Sequence, residues 1–154
     1  MSDLAIQREL RELNKKVDRM VARTAPGVFV AWTPTYTGLG AAGSTTYSVQ
    51  LGAYTRIGNV VIAHGRIAWT NATGTGAAFV TLPIAAVFTN VSRYVVTLYP
   101  IDVTFASSGI VGVIDSGTST LGFVINSPAS NSAGSIVTVE TAGDLSFCAI
   151  YEVV

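Results

Sequence analysis

At Pro26-Gly27 the sequence changes its period, and that break constrains the fold more than any other feature. Before it, Ile6, Leu10, Leu13, Val17 and Met20 recur at alternating spacings of four and three. An apolar residue every 3.5 positions on average is the seam of a coiled coil. After it, β-branched residues alternate with polar ones between clusters of Gly, Ser, Thr and Asn. That is the period of strands, with one side chain in two on each face. The expectation is a helical arm over residues 1–26 and a β domain over residues 27–154.

In heptad terms Leu10 and Val17 occupy a, while Ile6, Leu13 and Met20 occupy d. Leu at a with Ile at d leans toward trimers or tetramers. Ser2 suits the N-cap, Asp3 the positive end of the helix dipole, and Arg19 and Arg23 the negative end. Glu12 and Lys16 form an i,i+4 pair in the better orientation. A helix over residues 3–23 would be roughly 31 Å long, short enough to need partners for stability. Those partners are other copies of the chain, or its own domain if the helix folds back. A membrane-surface helix fits less well. The arm carries six basic and four acidic residues and has no Trp or Phe on its apolar face.

Charge is distributed unevenly. Ten of the eighteen Asp, Glu, Lys and Arg residues lie in the first 23 positions. Arg56, Arg66, Arg93, Asp102, Asp115, Glu140, Asp144 and Glu152 are the only others. Ordinary soluble domains are about one quarter charged, so much of the body's surface is expected to be covered by sister subunits or a larger assembly. Zero net charge and three scattered arginines give no concentrated basic footprint for nucleic acid. One cysteine, Cys148, excludes a disulfide framework and is expected to be a small buried hydrophobe. No stretch approaches about 18 consecutive apolar residues, and the charged N-terminus lacks a signal-peptide core. Synthesis and folding in a cytoplasm are expected. The sequons at Asn71 and Asn90 are read as ordinary loop chemistry.

Alternation and turn signals place strands near residues 28–32, 45–51, 53–57, 59–69, 78–82, 94–99, 101–105, 109–114, 119–126, 134–140 and 145–153. So many short strands without a second helix describe a mainly β fold. A jelly-roll-like antiparallel β-sandwich, preceded by a short self-associating N-terminal α-helix, is the expected architecture. Along residues 59–69, Val61, Ala63, Gly65 and Ile67 share one face. Val60, Ile62, His64 and Arg66 share the other and are the candidate subunit-facing residues. The apolar strand from Leu145 onward is expected to be docked in the sheet.

Motifs for chemistry are weak. Gly38-Leu39-Gly40-Ala41-Ala42-Gly43 matches the dinucleotide pattern, but strand formers follow where a helix is required, and the next acidic residue is Asp102. It is read as a loop. His64, the only histidine, would have to serve any hydrolase triad or zinc site, and it is read as a packing or interface residue. A His64–Cys148 dyad lacks a recognised nucleophile setting. Asp102 and Asp115 lie beside expected turns, where Asp is common for backbone reasons. The segment Asp115-Ser116-Gly117-Thr118-Ser119 offers a calcium ion only one carboxylate. Trp32, Tyr36, Tyr47, Tyr54 and Trp69 either fill the core and subunit interface or form a platform for sugars or proteins.

Trp32-Thr33-Pro34-Thr35-Tyr36-Thr37-Gly38, Gly52-Ala53-Tyr54-Thr55-Arg56-Ile57-Gly58-Asn59-Val60-Val61, Gly65-Arg66-Ile67, a Gly-rich turn at 73–76 and Leu82-Pro83 together form one phrase. Over residues 28–83 it resembles a recurrent module of tailed-bacteriophage structural proteins, the trimeric β-sandwich head of fibres and capsid decorations. The resemblance implies a homotrimer without enzymatic activity or cofactor, located on the virion. Two settings follow. A capsid decoration (cement) protein would bind the major capsid protein on the head exterior, and the short N-terminal segment favours it. The alternative is a receptor-binding tail-fibre head that recognises a host surface glycan. Neither setting involves nucleic acid or a membrane.

Overall fold

The computed structural model of the chain describes residues 7–16, 27–87, 93–104, 109–125 and 135–154. Residues 7–16 are helical and exposed on every side, Leu10 and Leu13 included. Ile6, Val17 and Met20 of the expected seam lie outside the described residues, as do Ser2, Asp3, Arg19 and Arg23. Within the helix Glu12 pairs with Lys15 at 3.0 Å, one residue short of the expected Lys16. Both spacings bring side chains onto one helix face.

The body is β1 (Val30–Trp32), β2 (Tyr36–Gly38), β3 (Thr46–Ile57), β4 (Val60–Thr70), β5 (Ala78–Thr81), β6 (Arg93–Asp102), β7 (Ile110–Asp115), β8 (Thr120–Ile125), β9 (Ser135–Ile136) and β10 (Gly143–Glu152). All registered pairs are antiparallel, in the order β1-β3-β4-β10-β6-β7-β8-β5-β2, with β9 attached to β8. The β3–β4 hairpin turns through Gly58-Asn59, where Gly58 takes φ 63°. A glycine at the first central position is what a two-residue hairpin turn of the right twist requires.

Several boundaries differ from the sequence expectation. Residues 45–51 and 53–57 are one strand, because Gly52 pairs with Gly65 instead of breaking the ladder. Residues 94–99 and 101–105 likewise merge into β6 across Pro100. Proline lacks an N–H, and it is tolerated here because registered pairing with β7 ends at Val96. β2 was not expected; it is three residues long and pairs with β5. The loop from Leu39 to Ser44 leads into β3, not a helix, and is laced to the 73–77 turn by Leu39 N–H to Ala77 O (2.9 Å) and Gly40 N–H to Thr75 O (2.8 Å).

β1 and β2 lie at opposite ends of the strand order, yet only Thr33-Pro34-Thr35 separates them. Four Cα steps reach at most about 14 Å, so the sheet has to curl until its two ends meet. The meeting point is clamped. The Tyr36 amide donates to Tyr47 Oη at 2.6 Å, and Gln50 Nε2 donates to Pro34 O at 3.0 Å. The result is an antiparallel sheet curled as a half-barrel around one core, which includes Tyr36, Val61, Ile67, Trp69, Val80, Ile114, Leu121, Phe123, Leu145 and Tyr151.

Candidate functional site

Period two decides the two faces of every strand. On β4, Val61, Ala63 and Ile67 are wholly buried, as the alternation predicts, while His64 and Arg66 are exposed and Val60 and Ile62 half-buried. Strand pairing extends that outer face sideways, because residues opposite each other in an antiparallel ladder share a face. Arg66 stands beside Leu51 on β3 and Ser146 on β10, and Ser146 beside Tyr99 on β6. His64 stands beside Ala53 and Cys148, and Cys148 beside Thr97. Ile62 stands beside Thr55 and Ile150. Val95, two residues before Thr97, shares the same side of β6.

Among the described residues this outer face of β3, β4, β10 and β6 is largely open, with Gly27 over Thr55 and Phe29 against His64 at one side, and its most exposed side chains are apolar. Leu51 is 67% exposed, Val95 73%, Tyr99 70% and Ile150 57%, with Ile57 and Ile101 also exposed at its margins. Its cation Arg66 is held by Asp144 through two hydrogen bonds, Nε to Oδ1 at 3.1 Å and Nη2 to Oδ2 at 2.7 Å. The Asp144 hydrogen bonds and charge push the exposed Arg66 guanidinium above its ordinary pKa. A depression of about 440 Å³ is set into this face, lined by Leu51, Ala53, His64, Arg66 and Ser146. Its floor is the Gly52–Gly65 pair, where missing side chains leave room on the inner side for Trp32 and Phe147, whose rings meet edge to face at 6.3 Å.

Cys148 corrects a sequence expectation. It is exposed, not buried, because its β10 neighbours Phe147 and Ala149 take the inward positions opposite Gly65 and Ala63. The pairing puts it directly beside His64, whose ring meets Phe29 at 5.1 Å in an edge contact. The five aromatic residues weighed as a platform line the interior: Tyr36 and Trp69 are buried, and Trp32, Tyr47 and Tyr54 half-buried against the core. Tyr99, which no local pattern singles out, is 70% exposed on the outer face, and Phe29, 56% exposed, lies against His64 on the same side.

Three carboxylates of the body are occupied by structural partners. Asp115 accepts from Arg93 Nε at 2.7 Å, Asp144 holds Arg66, and Glu140 accepts from the Thr104 amide and hydroxyl at 3.1 and 2.9 Å. Among the described residues no three His, Cys, Asp or Glu side chains cluster as metal ligands would. Nor is any described helix long and apolar enough to cross a membrane.

Burial perturbs two tyrosines. Desolvation raises Tyr36 to about 12, against a partly offsetting hydrogen bond from the Glu140 amide, and raises Tyr151, whose hydroxyl donates to Ile84 O, to about 12. Both hydroxyls are internal struts, donating to or accepting from backbone. What this arrangement offers chemically is a large apolar contact surface with a dent and protruding side chains, built on a rigid sheet. No family model matches the chain, and no curated protein or solved structure is significantly similar to it.

Proposed function

We propose that the chain is a virion structural protein, a homotrimeric capsid decoration (cement) protein that binds the major capsid protein on the head exterior and stabilises the shell. The observation that carries the self-associating part is the set of large apolar side chains exposed on the outer face of β3, β4, β10 and β6, on a body with eight Asp, Glu, Lys and Arg residues beyond position 23. The heptad seam adds to it independently, since Leu10 and Leu13 are exposed in the single chain. The phage setting rests on the resemblance of residues 28–83. In this reading the curled sheet is a flattened jelly-roll-like sandwich, with β1, β3, β4 and β10 facing β2, β5, β8 and β7. Each trimer would grip several shell subunits at once, so that multivalent contact supplies avidity.

The glycan-binding alternative draws less support from the molecule, because the aromatic residues it would use as a platform line the core. Immunogold labelling of intact virions with antibody against residues 27–154 tests the setting. Label over the head, together with a threefold mass in solution, is the expected result. Label confined to the tail would replace decoration with the receptor-binding reading.

A further inference from the structure

The outer surface of the curled sheet is not uniform, and its β3-β4-β10-β6 sector is distinguished by what it lacks. It has no unpaired charge at its centre. Arg66 is neutralised within its own chain by Asp144, so the sector neither attracts an oppositely charged protein nor repels a copy of itself. Depletion of charge at the centre is what separates interface cores from ordinary surface. Leu51, Ile57, Val95, Tyr99, Ile101 and Ile150 together expose on the order of 700 Å² of residue surface across the sector, close to the roughly 800 Å² per partner of a standard interface. The sector also carries both halves of a fit: a dent of about 440 Å³ over Gly52 and Gly65, and the projecting side chains of Val95 and Tyr99.

We propose that this sector faces other copies of the same chain, and that the adjacent His64 and Cys148 are enclosed at the centre of that contact. The proposal rests on the self-associating reading above and adds which surface performs it. It sets the β3-β4-β10-β6 sector inward in the assembly and leaves the outer side of β5, β7 and β8 outward. The chain's one thiol then becomes a reporter: exposed in a single copy, covered in the assembly.

The test measures mass by light scattering and the rate of Cys148 modification by a disulfide reagent, on the full chain across a range of concentrations. The assembled wild type is expected to react about tenfold more slowly, or less, than the dilute protein, since access controls thiol reactivity. Ile150→Asp and the milder Tyr99→Ser should lower the mass and restore the fast rate with an unchanged β spectrum. Leu39→Asp, an equally exposed apolar residue outside the sector, should leave both at wild-type values. An oligomer with a fully reactive thiol and a mass unmoved by Tyr99→Ser would overturn this assignment while leaving self-association intact. A monomer at every concentration would overturn both. A monomer whose thiol becomes protected only on purified capsid shells would give the sector to the shell protein and overturn the proposal.

Discussion

The inner and outer faces of the β3-β4-β10-β6 sector both present large apolar side chains, yet they differ in how these are matched. Inside, size alternates across neighbours: Gly52 and Gly65 leave room for Trp32 and Phe147, and Gly143 lies against the Trp69 ring. Polar atoms there are mostly tied down, as with Trp69 Nε1 to Glu140 O at 3.0 Å and Tyr151 Oη to Ile84 O at 2.9 Å. Outside, Leu51, Tyr99 and Ile150 are 67%, 70% and 57% exposed and stand without such complements among the described residues. Apolarity alone therefore does not mark a core; matched volumes and satisfied polar groups do. An apolar face without that matching is finished by something else.

The comparison breaks most severely if the inner face tolerates truncation. Trp69→Ala removes a wholly buried ring that packs at 4.2 Å on Tyr36, and it abandons the Glu140 carbonyl. Denaturant unfolding should show a loss of about 3–5 kcal/mol, whereas Tyr99→Ser in dilute protein should stay within about 0.5 kcal/mol. A loss below 1 kcal/mol for Trp69→Ala would erase the distinction. Next in size is the alkaline response. Tyr36 and Tyr151 stay protonated in the fold to about 12, whereas an unfolded tyrosine ionises near 10. Between these values the native state holds more protons, so stability is full below about pH 10 and falls as pH rises toward 12. Each ring contributes on the order of 2 kcal/mol to that decline. Tyr151→Phe should remove part of the slope; an unfolding midpoint flat from pH 9 to 12 would show that the rings are not sealed.

How much of this was legible in the sequence follows from range. The inward positions Val61, Ala63 and Ile67 came from local alternation, and so did half of the candidate face, Val60, Ile62, His64 and Arg66. The other half did not. Leu51, Ile150 and Tyr99 join it only because β10 lies between β4 and β6, a long-range order that no local period encodes. Cys148 was misplaced because its residue type was weighed above its parity: it falls in step with Asp144, Ser146 and Glu152, whereas Leu145, Phe147, Ala149 and Tyr151 make the wholly apolar inward set. Gly52 and Pro100 read as breaks because their special roles, a vacancy filled by Trp32 and a position past the end of β7 pairing, depend on neighbouring elements. β2, only three residues long between Pro34 and a glycine loop, gave too little period to detect.

Gly65 sharpens the comparison at the boundary between the faces. A Cβ there would lie 2.7 Å from Phe147 Cζ and 2.9 Å from the Leu51 carbonyl oxygen, one a ring locked in the core and the other backbone. Gly65→Val should therefore cost about 1–3 kcal/mol by overpacking, even though the dent above it on the outer face is open. If unfolding measurements show no loss, the vacancy is not matched to Phe147 and the inner packing is looser than described.

The smallest effect concerns Thr55, where the outer side of β3 is covered by the same chain. Thr55 is buried although it shares a face with Ile62 and Ile150, because the backbone at Gly27 lies over it, so closely that a Cβ at Gly27 would collide with the hydroxyl. That hydroxyl has no hydrogen-bond partner among the described residues. A buried hydroxyl without a partner carries a desolvation cost that a methyl group of nearly the same shape avoids. Thr55→Val should then stabilise the fold by about 1 kcal/mol, read as a higher denaturant midpoint at unchanged slope. A loss instead would mean that the hydroxyl is satisfied, and that the covered corner of the outer face is finished like the interior.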